Sequence, residues 1–194
     1  MYGVGANTLS QQLDVSENEA LGFISTFMDT YPGVKKFIEK TIHDCKKNGF
    51  VTTLKGRRRY LPNINAHSKP QIMAAAERQA VNSTIQGSAS DLVKKAMIDI
   101  DQKLCSMFPK CAIPLRSGSS NQVKNAKNKI EEGAHFVLQL HDELYYEVSE
   151  KNVMVCAKLI KESMEHGFAN MDVSFPVQLK IGPSWGDLVE MHVE

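Results

Sequence analysis

His141-Asp142-Glu143 places an imidazole and two carboxylates in a row, between two apolar stretches at residues 136–140 and 144–148. Neighbouring residues within a strand point to opposite faces. At the tip of a hairpin, however, both carboxylates are free to project toward solvent or toward a cation. A hard divalent ion such as Mg²⁺ takes carboxylate oxygens together with waters and phosphate oxygens. A charged hairpin tip is also an ordinary solvated turn, so the three residues alone leave both readings open.

Arg78, Asn82 and Gln86 recur at i, i+4 and i+8. On a helix each step of four residues rotates by about 40°, so the three share one stripe. Val81, Ile85 and Leu92 form an apolar stripe beside it. Side-chain amides on such an edge suit the minor-groove acceptors that every base pair presents, and so check pair shape without reading sequence. A polar edge of an amphipathic helix has the same pattern.

Lys55-Gly56-Arg57-Arg58-Arg59-Tyr60 is a compact cationic hairpin. Strand alternation puts Arg57 and Arg59 on one side and Arg58 on the other. Phosphate contact is one use of such a cluster, and it makes binding salt-dependent. An edge that discourages strand pairing is the other.

The chain has 194 residues, a net charge of +1 and 42% hydrophobic residues, the composition of a globular protein. Basic residues cluster in the first third and acidic ones after Glu131, so a basic patch exists despite near-neutrality. No apolar run reaches the roughly 18 residues of a membrane-spanning helix, and no membrane association is expected. No leader pattern opens the chain, whose first residues read as the middle of a longer element. Cys45, Cys105, Cys111 and Cys156 form no CxxC pair; reduced, mostly buried thiols are expected.

Several elements must position these groups. Ser16 with Glu19 is a capping box ahead of Phe23, Phe27 and Met28, predicting a helix that ends near Tyr31. A second helix is predicted over 34–47, stopped by Asn48-Gly49. Residues 50–54 and 57–61 read as a hairpin. A long helical region spans 72–104, with Gly87 as an interruption and Ser88-Ala89-Ser90-Asp91 recapping a second segment. Residues 109–133 read as a flexible polar insertion. Two strands follow, then a helix over 151–166 buried through Val155, Leu159, Ile160 and Met164, and a last strand over 173–181. The class is α+β, helices first and then a small antiparallel sheet with packed helices.

Three segments occur in order: Gly56-Arg57-Arg58-Arg59-Tyr60-Leu61-Pro62; then 76–82 running on to 86–91; then Gln139-Leu140-His141-Asp142-Glu143-Leu144. Together with Ile181-Gly182-Pro183-Ser184-Trp185-Gly186 they resemble the C-terminal part of a family A DNA polymerase, most like the eukaryotic theta subfamily, with nu next. The match spans nearly the whole chain apart from the insertion.

The resemblance implies a helical fingers lobe at 1–70 and a partial palm at 71–194. It implies DNA-directed DNA synthesis, with primer-template DNA and deoxynucleoside triphosphates as partners, Mg²⁺ as cofactor, and nuclear double-strand break repair as the setting. Asp142 would bind metal, with Glu143 an accessory carboxylate and His141 at the primer terminus. Arg78, Asn82 and Gln86 would contact primer and template, Arg57, Arg58 and Arg59 the template backbone, and Tyr2 the incoming nucleotide. The chain departs from the family pattern at its front, where the first metal-binding aspartate, the triphosphate-holding fingers residues and the thumb are absent. A missing N-terminal polymerase segment, and a fragment inactive alone, are therefore expected. The alternative is a non-catalytic DNA-binding module from a truncated polymerase.

Overall fold

The computed structural model describes residues 5–67, 69–109, 133–166 and 172–193. The chain divides into two compact units, Met1–Asp91 and Leu92–Glu194. The expected insertion at 109–133 lies almost wholly outside the described residues, as does Tyr2.

The first unit opens with α1 (Ala6–Leu13), α2 (Glu17–Thr30) and α3 (Pro32–Asn48). The capping box forms as the sequence predicts: the Glu19 amide donates to Ser16 Oγ, and the Ser16 amide donates to the Glu19 carboxylate. The Ser16 hydroxyl also donates to that carboxylate and holds it below its usual pKa. Phe23 nevertheless faces solvent and Phe27 is half-buried; Ala20 is the buried residue of α2. Gly49 ends α3 in the left-handed region at φ 77°, where a side chain is strained. Strands β1 (Phe50–Thr52) and β2 (Arg58–Tyr60) then pair antiparallel, Val51 opposite Arg59. Cys45, Val51, Leu61, Ile64, Ala76 and Ala80 form the core beneath them. Full burial of a residue the size of Ile64 contributes about 1.5–3 kcal/mol.

Helix α4 (Pro70–Met107) runs unbroken through Gly87. The expected interruption and recapping at residues 88–91 therefore do not occur. Glycine in a helix costs about 1 kcal/mol relative to alanine, which is why it reads as a break. Here it serves close approach instead: a β-carbon on Gly87 would come to 2.7 Å from Thr53 Cγ2. The two serines and the aspartate after it continue the helix, with Ser88 bonding back to the Thr84 carbonyl.

In the second unit β3 (Ala134–Leu140) and β4 (Glu143–Val148) form a two-stranded antiparallel ribbon, with a register irregularity between Phe136 and Leu138. Helix α5 (Val153–His166) buries Cys156, Ile160 and Ser163, spaced i, i+4 and i+7. Val155, expected on the buried side, is exposed. Ile100, Leu104, Cys156 and Ile160 make the core, and Ala134, Leu144, Tyr146 and Val148 pack on it from one face of the ribbon. The expected last strand over 173–181 is shorter, β5 (Leu179–Ile181), and pairs with β6 (Val189–Met191), which the pattern did not predict. Pro176 has no amide to donate, and the Val177 amide donates to a Glu165 carboxylate oxygen, 2.9 Å away, instead of to a ladder. Cys45, Cys105 and Cys156 are free thiols, and burial raises the pKa of each. Among the described residues no helix is long and apolar enough to cross a membrane.

Candidate functional site

The unbroken α4 carries Arg78, Asn82 and Gln86 on one stripe, with Arg78 and Gln86 exposed and Asn82 half-buried. Val81 and Leu92 beside them are buried. An apolar hollow of about 190 Å³, lined by Val34, Phe37, Ile38, Val81 and Ile85, lies against the same helix. The stripe can therefore present one cation and two amides on a rigid rod, the arrangement that suits a groove edge.

The three arginines of the hairpin do not share a fate. Arg57 stands before β2, and its Nε donates to Asp91 Oδ1 at 2.9 Å. Its terminal amino group reaches the same oxygen at 2.9 Å and the Gly87 carbonyl at 3.2 Å. Arg58 lies over the Phe50 ring, 4.7 Å from its centroid. Arg59 is exposed across from Val51. Strand alternation predicts Arg57 and Arg59 on one side; Arg57 instead stands outside β2 and is engaged by the helix, while Arg58 and Arg59, neighbours within the strand, are both exposed.

His141 and Asp142 form the two-residue link between β3 and β4, with Leu140 paired to Glu143. His141 has φ 54°, the left-handed region, an uncommon conformation for a residue with a β-carbon. The Gln139 side-chain amide donates to the His141 carbonyl at 2.9 Å and braces the turn. His141, Asp142 and Glu143 are all exposed. Glu143 and Tyr145 alternate onto the same face of β4, and the Tyr145 hydroxyl donates to the Glu143 carboxylate. That bond raises the tyrosine pKa, since ionisation would set phenolate against carboxylate. The Trp185 ring packs on Tyr145, centroids 4.9 Å apart.

Sequence reasoning did not place Tyr145 or Trp185 beside the acidic turn. The period-two spacing from Glu143 was the available signal for the first. It also missed Gly87, Ser88 and Asp91 as partners of the hairpin. Their spacing of i, i+1 and i+4 marks one helix face, but the same letters match a capping motif.

Asp142 and Glu143 offer carboxylate oxygens to a cation, and Glu143 spends part of its capacity on Tyr145. Among the described residues no group of three or more His, Cys, Asp or Glu side chains is placed to hold a metal ion. The acidic turn is thus a partial donor set and not a complete cage.

A family model described as DNA polymerase family A matches residues 1–187. DNA polymerase theta of Mus musculus is 39% identical over the whole chain, which spans 8% of that protein's length. DNA polymerase I of Bacillus subtilis is 37% identical over 96% of the chain and 18% of its own length. The POL domain of Pol1 from M. smegmatis, solved with DNA primer-template and dNTP, superposes with a TM-score of 0.70 at 35% identity. That likeness covers 89% of this chain and 26% of the other.

Proposed function

The chain belongs to DNA polymerase family A, and we propose that it contributes part of the site for template-directed DNA synthesis. In this reading residues 1–70 belong to the fingers and 71–194 to the palm. Asp142 is the carboxylate offered to Mg²⁺, with Glu143 beside it, and His141 meets the primer terminus. Arg78, Asn82 and Gln86 face the minor-groove side of the newly formed pair, Arg57, Arg58 and Arg59 lie near the template backbone, and Tyr2 meets the nucleotide. A divalent ion in such enzymes neutralises charge on the reacting phosphate, and this chain's described residues would supply one share of its ligands. The resemblance to the theta subfamily supports break repair in the nucleus, whereas the likeness to bacterial DNA polymerase I supports the same chemistry in another setting.

The observation that carries the reading is the continuity of α4. The unbroken helix keeps Arg78, Asn82 and Gln86 in line with Ser88 and Asp91, the residues that bond the cationic hairpin; a break at Gly87 would have been free to turn those two away. A second reading, a non-catalytic DNA-binding module, is favoured by the incomplete donor set around Asp142.

Duplex binding at two salt concentrations tests what the two readings share. Affinity should fall with salt by a log–log slope of about −0.9 per phosphate contacted, and Arg78→Ala should weaken it at each. Salt-insensitive binding that ignores Arg78→Ala overturns both. Primer extension, once the chain is joined to the remainder of a family A enzyme, separates them: loss on Asp142→Ala supports the catalytic reading, and full activity without Asp142 removes it.

A further inference from the structure

The cationic hairpin is tied to α4 at three points, all within the first unit. Arg57 grips Asp91 through two of its nitrogens and reaches the Gly87 carbonyl with one of them. The Leu54 amide donates to Ser88 Oγ at 2.9 Å, while that hydroxyl donates onward to the Thr84 carbonyl. Thr53 sits in the notch that the missing side chain of Gly87 leaves. The turn between these points is itself bonded, with the Thr53 amide on the Arg57 carbonyl at 3.0 Å and the Gly56 amide on the Thr53 carbonyl at 2.9 Å.

Asp91 is the residue that decides what Arg57 can do. Its side chain is only 9% exposed, and a carboxylate so enclosed is costly to leave without its cation. Arg57 therefore cannot leave it for a phosphate at small cost. Arg58 and Arg59 carry no such obligation: one lies over an aromatic ring and the other is exposed across from Val51.

We propose that Arg57, Gly87, Ser88 and Asp91 form a clasp that sets the hairpin on α4 in a fixed relation to Arg78, Asn82 and Gln86, so that Arg57 is a positioning residue and Arg58 and Arg59 are the phosphate contacts. The proposal rests on the DNA-binding reading above and adds a division of labour within the triplet. It also explains why a polar helix face with a glycine notch stands opposite the hairpin.

Two measurements on the 194-residue chain test it. The first needs no DNA: hydrogen exchange of the Leu54 amide, whose partner is Ser88 Oγ. Arg57→Lys keeps the charge but loses the planar fork that reaches Asp91 and Gly87 together. Exchange should accelerate about tenfold in Arg57→Lys and in Asp91→Asn, the scale of a charge-assisted hydrogen bond. Unchanged exchange in both variants overturns the clasp. The second is duplex affinity at fixed salt. Asp91→Asn removes a negative charge, which by simple electrostatics strengthens DNA binding; the clasp requires that it weaken binding, by about tenfold. Arg57→Lys should weaken it likewise. Tighter binding by Asp91→Asn, or wild-type affinity in Arg57→Lys, overturns the positioning role. Wild-type protein that does not bind duplex at all removes the DNA reading, and with it the phosphate roles of Arg58 and Arg59, while the exchange result still decides the clasp.

Discussion

Gly87 and Thr53 stand so close that a β-carbon on the glycine would lie 2.7 Å from the threonine Cγ2. Alanine at this position gains up to about 1 kcal/mol of helix propensity. Overpacking, at about 1–3 kcal/mol, is expected to outweigh that gain. Gly87→Ala should therefore destabilise the chain in urea unfolding, and adding Thr53→Ala should recover most of the loss. A stabilised single variant would show that the hairpin yields freely.

The purified chain alone is expected to extend no primer in the presence of Mg²⁺. Among its described residues the acidic turn lacks the companions a metal cage needs. Gel assay of a labelled primer-template is sufficient, and any templated, Mg²⁺-dependent extension contradicts the expectation.

Burial of the Tyr146 phenol, aided by the nearby Asp101 carboxylate, pushes its pKa up to about 12 from the usual 10. The folded state thus holds this proton more tightly than the unfolded state. The stability it contributes is complete below pH 10 and is lost as pH rises through about 12. Tyr145, raised by its bond to Glu143, acts with the same sign. Unfolding midpoints measured from pH 8 to 12 should decline most steeply above 10, and less so in Tyr146→Phe. An equal alkaline decline in that variant would assign the effect to other groups.

Phe136, Val137 and Leu140 are 45%, 56% and 41% exposed on a ribbon that has two strands among the described residues. Unpaired strand edges beside apolar side chains are templates for association. Sedimentation should show mass rising with concentration, and Val137→Lys should reduce it. A strictly monomeric wild-type chain at high concentration would count against this surface.

Local chemistry made much of the fold legible. Ser16 with Glu19, the glycine after Asn48, and Lys55-Gly56 between two strand-like runs each named their elements, because each acts through neighbours in sequence. Gly87 was misread for the opposite reason. Its partner, Thr53, is 34 residues away, and nothing in the local pattern distinguishes a notch from a break. The same distance hid Asp91 behind the capping motif it resembles, and left Arg57 grouped with its two neighbours. In the tail, the alternation from Val173 overstated β5 because Pro176 and the Val177 amide are withdrawn from pairing. At the acidic turn the positions of His141, Asp142 and Glu143 were readable, but the hold of Tyr145 on Glu143 was not, since it depends on which face β4 turns outward.

The irregularity in β3 has a consequence for how this segment tolerates change. Phe136 pairs with Tyr146 and Leu138 with Tyr145, so Val137 has no residue of its own across the ribbon. β3 thus contains one residue more than its partner strand requires, and a bulge of this kind bends and twists the strand locally. A one-residue deletion there can be absorbed by straightening the strand, with Leu140 still opposite Glu143 and His141-Asp142 still at the tip. β4 has no such slack: losing Leu144 would turn the Glu143 carboxylate and Tyr145 to opposite faces. One strand of the ribbon can shorten without displacing the acidic turn, and the other cannot.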